Sequence, residues 1–194
     1  DVLRQITELK LQQARHANPL TLLPGNIPIQ QCLQRLLERG VDDQLCYIDL
    51  DNFKPFNDLY GYGKGDEILL GLTQLLRELC DPRCDFVGHI GGDDFILVMQ
   101  SDDWRERLHS LDNRFQQLCR TLYRAEHLQS RSFTASDREG RWRSHDLLNL
   151  SIGILPRIGS RARQFDPARL AELASRAKHE AKRQRGFSLV IQDL

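Results

Sequence analysis

The sequence FVGHIGGDDFILVM, residues 86–99, consists of two apolar runs on either side of four small or acidic residues. The runs at 85–90 and 95–99 are short and rich in aromatic and branched residues, which is typical of β-strands. Glycine and aspartate at 91–94 favour a tight reversal between them. This segment therefore predicts a β-hairpin with two carboxylates at its tip. Taken alone, these carboxylates could be ordinary turn residues.

A second strand with acidic residues at its end is predicted upstream. The run QLCYIDL, residues 44–50, has the composition of a strand, and Asp49 and Asp51 lie at its end. Side chains alternate along a strand, so these two carboxylates point to the same face. If the hairpin pairs with this strand, Asp49 and Asp93 converge. Converging carboxylates repel one another unless a cation lies between them, and a few hard oxygen ligands suit Mg²⁺.

Helices alternate with strands along the rest of the chain. Apolar spacing predicts, in order, a helix at 2–16, a helix from about 26 to 39, the strand at 44–50, a helix at 64–79, the two hairpin strands, a helix at 102–123, a hairpin within 130–155 that turns at 137–140, a helix at 167–184 and a strand at 187–191. This order predicts an α+β fold with a mixed or antiparallel sheet, and not a doubly wound parallel sheet. Asn18-Pro19 interrupts the first helix. We therefore expect 1–17 to be a helical linker from an upstream domain and 18–194 to be one domain.

Composition and charge exclude several classes of protein. The 194 residues have a formal net charge of zero and are 40% hydrophobic, as in a globular domain and unlike a general nucleic-acid binder. No apolar run approaches the roughly 20 residues of a membrane helix, so membrane insertion by this segment is not expected. The five cysteines lack the spacing of a zinc site, and we expect them to be buried and reduced, which favours a cytoplasmic location. Because the chain begins with Asp1, we expect it to be part of a longer protein.

Other residues near the acidic ones suit a nucleotide. Asn57 and Asp66 could accept and donate hydrogen bonds along the edge of guanine, and the backbone at Gly91-Gly92 is open to close approach by a ligand. Asp66 could instead be a carboxylate that faces the start of a helix. The segment 157–185 contains nine basic and three acidic residues. Most of these bases are expected on a solvated helix face, and one or two could meet phosphates.

Motifs in a fixed order resemble those of the GGDEF domain family and together span residues 20–191. The resemblances are LTLLPGN (20–26) to LTGLPNR, YIDLDNFKPFND (47–58) to DxDxFKxxND, GYGKGD (61–66) to GHxxGD, HIGGDDF (89–95) to RYGGDEF, LSIG (150–153) to TVSIG, and 174–182 to the helix that ends in ALYxAK. A single motif of this kind would prove little, whereas the whole series in order is specific.

The resemblance implies a diguanylate cyclase with the palm-like fold of nucleotidyl cyclases, in which helices wrap a central five-stranded, mostly antiparallel sheet. Two GTP molecules would condense to cyclic di-GMP and pyrophosphate with Mg²⁺ or Mn²⁺, and two antiparallel copies of the domain would form a homodimer for catalysis. The implied metal ligands are Asp49, Asp93 and the carbonyl of Leu50, and the implied catalytic carboxylates are Asp49, Asp93 and Asp94. The residues implied to contact GTP are Phe53 (through nearby backbone amides), Lys54, Asn57, Asp66, Gly91, Gly92, Lys182 and Arg185. Three of these have a simpler interpretation, in which Phe53 belongs to the core and Lys54 and Arg185 are solvated surface bases.

The sequence departs from the family pattern at several positions. Asp94 stands where the family has glutamate, and the missing methylene withdraws the carboxylate by about 1.5 Å, which can slow catalysis. Pro82 stands at the arginine position of the RxxD product-inhibition motif, whose aspartate is Asp85, so feedback by the product is not expected. The arginine that follows the AK pair is displaced to Arg185, and His89 replaces the arginine before the signature.

These departures leave a second function open. GGDEF domains with altered signatures often lie beside an EAL phosphodiesterase domain, where they bind GTP and regulate their neighbour. The alternative to a slow cyclase is therefore a GTP-binding regulatory module with weak or absent turnover, attached to an EAL or other regulatory domain. A purely structural role is disfavoured, because an acidic cluster without a ligand costs desolvation energy.

Overall fold

The computed structural model describes residues 2–136 and 139–192. The helices in these ranges are α1 (Val2–Arg15), α2 (Asn26–Arg39), α3 (Phe53–Tyr60), α4 (Tyr62–Leu79), α5 (Trp104–Leu122), α6 (Ala125–Ser130) and α7 (Pro167–Ala181), with a 3₁₀ helix at Ile158–Gln164. The strands are β1 (Gln44–Asp51), β2 (Phe86–Gly91), β3 (Asp94–Met99), β4 (Ser132–Ser136), β5 (Trp142–Asp146), β6 (Asn149–Leu155) and β7 (Ser188–Ile191).

A five-stranded sheet in the order β2-β3-β1-β6-β7 forms the centre of the fold. Strand β1 pairs antiparallel with β3 on one side and with β6 on the other, and only the β6–β7 pair is parallel. The predicted α+β fold with a mostly antiparallel five-stranded sheet is therefore confirmed. Because β2 and β3 form the hairpin beside β1, the acidic ends of β1 and of the hairpin lie at the same end of the sheet.

Alternation along β1 divides the core into two layers. Cys46, Ile48 and Leu50 face the layer built with α3, α4 and α5. Leu45 and Tyr47 face the opposite layer, which contains α2 and α7. Asp49 follows in the same alternation, so its carboxylate lies on the side of the sheet that α7 covers.

Helix α7 lies directly on β6 because Gly153 has no side chain. A Cβ atom at Gly153 would be 2.2 Å from the backbone nitrogen of Lys178 and 2.7 Å from the carbonyl oxygen of Ala174, distances that no side chain tolerates. The glycine therefore permits a close helix–sheet contact, and this contact fixes the height of α7 above the end of β1.

Several predicted elements differ from the structure. The helix predicted at 64–79 is preceded by a separate short helix, α3, and the two are divided at Gly61, whose φ of 88° is favourable for glycine alone. The hairpin predicted within 130–155 is a two-stranded sheet of its own, β4–β5, and the apolar run that follows is β6 of the central sheet. Half of the predicted turn at 137–140 lies outside the described residues.

The expected core residues also need correction in places. Of the two tryptophans, Trp104 is buried, whereas Trp142 on β5 is 71% exposed. All five cysteines are free thiols, although only Cys46 and Cys119 are fully buried.

Helix α1 forms where the linker was predicted. Its described apolar side chains are exposed, among them Val2, Leu3, Ile6 and Leu11. Beyond it, Asn18 Oδ1 accepts hydrogen bonds from the backbone of Leu20 and Thr21. The assignment of 1–17 to a linker and of 18–194 to one domain stays a prediction.

Candidate metal and nucleotide site

Three carboxylates meet where β1 ends beside the hairpin. Asp49 lies opposite Asp94 in the β1–β3 register, and Asp93 precedes Asp94 at the hairpin tip. One carboxylate oxygen from each of the three lies within 4.8 Å of the others. Asp49 is buried, and the other two are partly buried. The convergence that the sequence predicted for Asp49 and Asp93 is therefore observed, while their role as metal ligands stays a prediction.

The hairpin tip depends on its two glycines. Gly91 and Gly92 have φ values of 149° and 57°, which residues with a side chain rarely adopt. The strand register shifts between His89 and Gly91, so that Gly91 lies opposite Asp94. This bulge turns both aspartates of the tip towards the end of β1.

His89 supports the hairpin tip through a ring contact and a hydrogen bond. Its ring stacks on Phe95 at 4.1 Å between centroids, and its Nε2 is 3.0 Å from the carbonyl oxygen of Gly92. Because a carbonyl only accepts, Nε2 carries the proton, and in the neutral ring Nδ1 accepts from the Thr21 hydroxyl at 2.9 Å. Burial lowers the pKa of His89, which favours this neutral form. Here His89 acts as a support for the signature turn, a role for which its sequence position gave no evidence.

Two lysines, Lys178 in α7 and Lys182 at its C-cap, are ion-paired with the carboxylates. The Nζ atom of Lys178 lies 2.7 Å from Asp94 Oδ1 and 3.1 Å from Asp49 Oδ2, and it is 4.4 Å from the centre of the Tyr47 ring. The Nζ atom of Lys182, one helical turn later, lies 2.5 Å from Asp49 Oδ1. The lysines differ in burial, because the side chain of Lys178 is 7% exposed and that of Lys182 is 36% exposed.

Lys178 is the residue that sequence reasoning missed. It was counted among the bases of a solvated helix face, yet it is buried. The signal that could have found it is its spacing, because Lys178 lies on the stripe of Ala174, Ala177 and Ala181 that packs on the sheet. In the ALYxAK pattern Lys178 also takes the position of the apolar leucine.

Burial and the charges of neighbouring carboxylates raise the pKa values of two members of the acidic cluster, Asp49 and Asp93. Burial raises the pKa of Asp49 to about 6, and the nearby charge of Asp93 adds to this effect, whereas the ion pair with Lys182 acts against it. Burial also raises the pKa of Asp93, with a further contribution from Asp94. Burial by itself would lower the pKa of Lys178, but its hydrogen bond to Asp94 and the charge of Asp49 outweigh this and raise it. The carboxylates are therefore short of positive charge, and the chemistry of three hard oxygen donors fits a divalent cation.

The residues expected to read guanine lie around the start of α4. Asn57 on α3 packs on Gly65, where an added Cβ atom would be 1.8 Å from Asn57 Oδ1. Within the described ranges no donor reaches this buried oxygen. Asp66, which follows Gly65 in α4, is exposed. A buried acceptor without a partner beside an open carboxylate suits a ligand with N–H donors, which the guanine edge provides.

The other predicted site residues differ in burial and in their contacts. Phe53 is buried in the core at the start of α3, so only its backbone is a candidate for ligand contact. Lys54 is exposed and paired with Asp58 at 2.5 Å. Leu50 is buried in β1. Arg185 lines a shallow cavity of about 280 Å³ that Lys182 also borders.

The segment before β2 contains the altered RxxD motif. The carboxylate of Asp85 is fully buried, accepts from Arg107 of α5 at 2.7 Å, and also accepts from the backbone of Asp81 and Gln100. Arg83 is 87% exposed and pairs with Asp81. Asp85 is thus held by structural partners and not presented to solvent.

Comparison with known proteins agrees with this architecture. Residues 15–187 match the family described as "Diguanylate cyclase, GGDEF domain". The chain belongs to the GGDEF domain family. In general, cyclases of this family require a divalent metal ion, which fits the acidic cluster.

The relatives include proteins named as diguanylate cyclases. The chain is 47% identical over 107 residues to diguanylate cyclase DgcM of Escherichia coli K12. This match covers 50% of this chain and 26% of DgcM. It is 30% identical over 95 residues to the bifunctional diguanylate cyclase/cyclic di-GMP phosphodiesterase MucR of Pseudomonas aeruginosa. This match covers 47% of this chain and 14% of MucR. The structure superposes on diguanylate cyclase SiaD of P. aeruginosa, solved in complex with its activator SiaC, with a TM-score of 0.69 and 25% identity over 98% of this chain and 66% of SiaD.

The relatives are therefore longer proteins, of which this chain spans only a part. Among the helices of the described residues, none has both the length and the apolar composition to cross a bilayer.

Proposed function

We propose that this domain binds GTP together with Mg²⁺ or Mn²⁺ and condenses two GTP molecules into cyclic di-GMP. The observation that carries the proposal is the convergence of the Asp49, Asp93 and Asp94 carboxylates at one end of the sheet. Lys178 and Lys182 pair with Asp49 and Asp94, but among the described residues no ion pair involves Asp93, so a bound cation would supply the positive charge that the cluster still lacks. The membership of the family supports the same reaction.

The residues divide into a metal group and a nucleotide group. Asp49 and Asp93, with the carbonyl of Leu50, would hold the ion, and a bound divalent ion neutralises negative charge that builds on phosphoryl oxygens. The residues expected to contact GTP are Asn57 and Asp66 at the base and, at the phosphates, Lys54, Lys182, Arg185 and the backbone near Phe53, Gly91 and Gly92. Lys182 is well placed for this role because it lies at the edge of the acidic cluster and is partly exposed.

The reaction requires two copies of the domain. The 3′-hydroxyl of each GTP would give its proton to a base, for which Asp94 is the candidate. Its oxygen would form a bond to the α-phosphorus of the other GTP, while the bond from that phosphorus to the bridging oxygen of the leaving pyrophosphate breaks. Two pyrophosphates leave, and the ring of cyclic di-GMP closes. Since one domain would hold one GTP, we propose an antiparallel homodimer as the active assembly.

A second function is favoured by one specific contact. The carboxylate of Asp94, at the glutamate position of the signature, is already hydrogen-bonded to Lys178. A carboxylate held in this way is less available to a reacting hydroxyl. The alternative is therefore a GTP-binding module with little turnover that regulates an attached EAL or other domain, in a cytoplasmic protein longer than this chain.

Two measurements test the proposal. The domain, concentrated to favour dimers, is incubated with GTP and Mg²⁺, and the nucleotides are separated by chromatography. Cyclic di-GMP supports the cyclase, whereas GTP binding by calorimetry without product supports the regulatory module. Asp93→Ala should abolish Mg²⁺-dependent GTP binding, with Arg83→Met as a remote control that binds normally. If Asp93→Ala binds GTP with unchanged affinity, both functions lose their basis.

A further inference from the structure

The ammonium group of Lys178 lies inside the acidic cluster and not at its rim. It contacts Asp94 and Asp49, and its third neighbour is the face of the Tyr47 ring. Its side chain is 7% exposed. Because α7 is in close contact with β6 at Gly153, the backbone that carries Lys178 is held against the sheet beside the cluster.

Lys182 differs in each of these respects. It contacts Asp49 alone among the three carboxylates and is partly exposed. Its long side chain can therefore swing towards solvent or a phosphate without any change in the helix. The two lysines divide the two oxygens of Asp49 between them, with Oδ2 towards Lys178 and Oδ1 towards Lys182.

Asp93 is the member of the cluster that neither lysine neutralises. Among residues 2–136 and 139–192, no ion pair involves Asp93. The open positions of the cluster are thus the carboxylate of Asp93 and, once Lys182 moves away, Oδ1 of Asp49. The oxygen Oδ1 of Asp94 is already occupied by Lys178.

We propose that Lys178 is a built-in counter-cation that occupies part of the acidic cluster permanently and competes with a divalent ion for it. Lys178 keeps Asp94 out of the metal's coordination shell and leaves Asp49 and Asp93 as the carboxylate ligands. Lys182 is the exchangeable cation, which gives way when the metal binds. This inference rests on the proposed metal site and adds a residue that sets the affinity of that site.

Electrostatics gives the direction of the effect. A fixed ammonium within hydrogen-bond distance of two of the three carboxylates repels a divalent ion that approaches the same groups. Replacement of Lys178 by methionine keeps a similar apolar volume and removes the charge. The carboxylates Asp49 and Asp94 then lack their buried partner, and a divalent ion becomes their strongest available counter-charge.

The test is a Mn²⁺ titration without nucleotide, followed by electron paramagnetic resonance of the free ion. Lys178→Met should bind Mn²⁺ at least about tenfold more tightly than the unaltered domain, which corresponds to about 1.4 kcal/mol. Lys178→Arg, which keeps the charge, should stay close to the unaltered domain. Arg83→Met removes a positive charge far from the cluster and serves as the matched control.

Each outcome decides the inference. A folded Lys178→Met domain whose Mn²⁺ affinity is unchanged overturns it. If Lys178→Met is unfolded in the absence of metal, circular dichroism is followed during addition of Mn²⁺. Recovery of the folded signal supports the inference, because the metal replaces the missing charge, and failure to recover overturns it. Because GTP is absent, this result is independent of whether the domain binds or converts the nucleotide.

Discussion

Gly153→Ala tests how closely α7 is seated on the sheet. The added methyl group would lie 2.2 Å from the backbone nitrogen of Lys178 and 2.7 Å from two other backbone atoms of α7. Ordinary contact needs about 3.5 Å, so the helix must move by roughly 1 Å. Overpacking of this kind costs about 1–3 kcal/mol. For a domain of this size the melting temperature should fall by roughly 2–4 °C per kcal/mol, or about 2–12 °C in all.

Thermal unfolding followed by circular dichroism measures the effect, and Gly63→Ala provides the matched control. Gly63 lies near the start of helix α4, whereas Gly153 lies in strand β6, and a Cβ atom at Gly63 meets nothing within 4 Å. Alanine at that position should raise stability by up to about 1 kcal/mol, because glycine is the weaker helix former. If Gly153→Ala unfolds within 1 °C of the unaltered domain, the close contact between α7 and β6 does not constrain the position of Lys178 as argued.

Three further substitutions test separate parts of the site. Asp94→Glu should raise the synthesis of cyclic di-GMP, by up to about 10²-fold if the position of the carboxylate limits the rate, as product chromatography would show. Asp66→Ala should reduce the preference for GTP over ATP in competition binding, because the exposed carboxylate would no longer accept from the guanine edge. Arg107→Met should lower the free energy of unfolding by about 3 kcal/mol in urea, because the fully buried Asp85 carboxylate loses its ion-pair partner.

Controls and contrary outcomes differ among these three. For Asp94→Glu, a flat rate together with normal GTP binding would show that carboxylate position is not limiting. For Asp66→Ala, the control is Glu67→Ala at the next exposed position. If both variants prefer GTP over ATP to the same extent, Asp66 does not bind the guanine base. For Arg107→Met, the control is Arg83→Met at an exposed position, which should change the free energy of unfolding by less than about 0.5 kcal/mol. Equal changes in the two variants would show that the buried pair of Arg107 and Asp85 stabilises the domain no more than an exposed pair does.

The acidic strand ends could be predicted because their signals are local: alternation in QLCYIDL and the GGDD reversal each place carboxylates at the end of a strand. The pairing of the hairpin with β1 stayed conditional at the level of local pattern, and the five-stranded sheet was implied only by the family resemblance. The short helix α3 was not predicted, because its eight residues are too few to show a clear helical period of apolar positions. The break at Gly61 is a matter of backbone conformation, and its sequence leaves either a helix or a turn open.

Two other differences have a tertiary origin. The hairpin predicted within 130–155 does form, as β4 and β5, but it makes a sheet of its own, and the apolar run that follows is a separate strand, β6, of the central sheet. Lys178 was assigned to solvent because a lysine in a basic segment normally lies there. Its burial depends on Asp49 and Asp94, which come from distant parts of the sequence, and on the close approach of α7 that Gly153 allows.

The arrangement of α7 links the fold to the chemistry of the site. Lys178 and Lys182 are four residues apart and so lie on one face of the helix, one turn apart along its axis. Gly153 sets the height of that face above β1, which places the first lysine inside the acidic cluster and the second at its edge. A shift of α7 by one turn or a rise of 1 Å would exchange or break these contacts. The number of charges that the protein itself supplies to the cluster therefore depends on how one helix packs, and this same packing determines how much positive charge is left for a metal ion to supply.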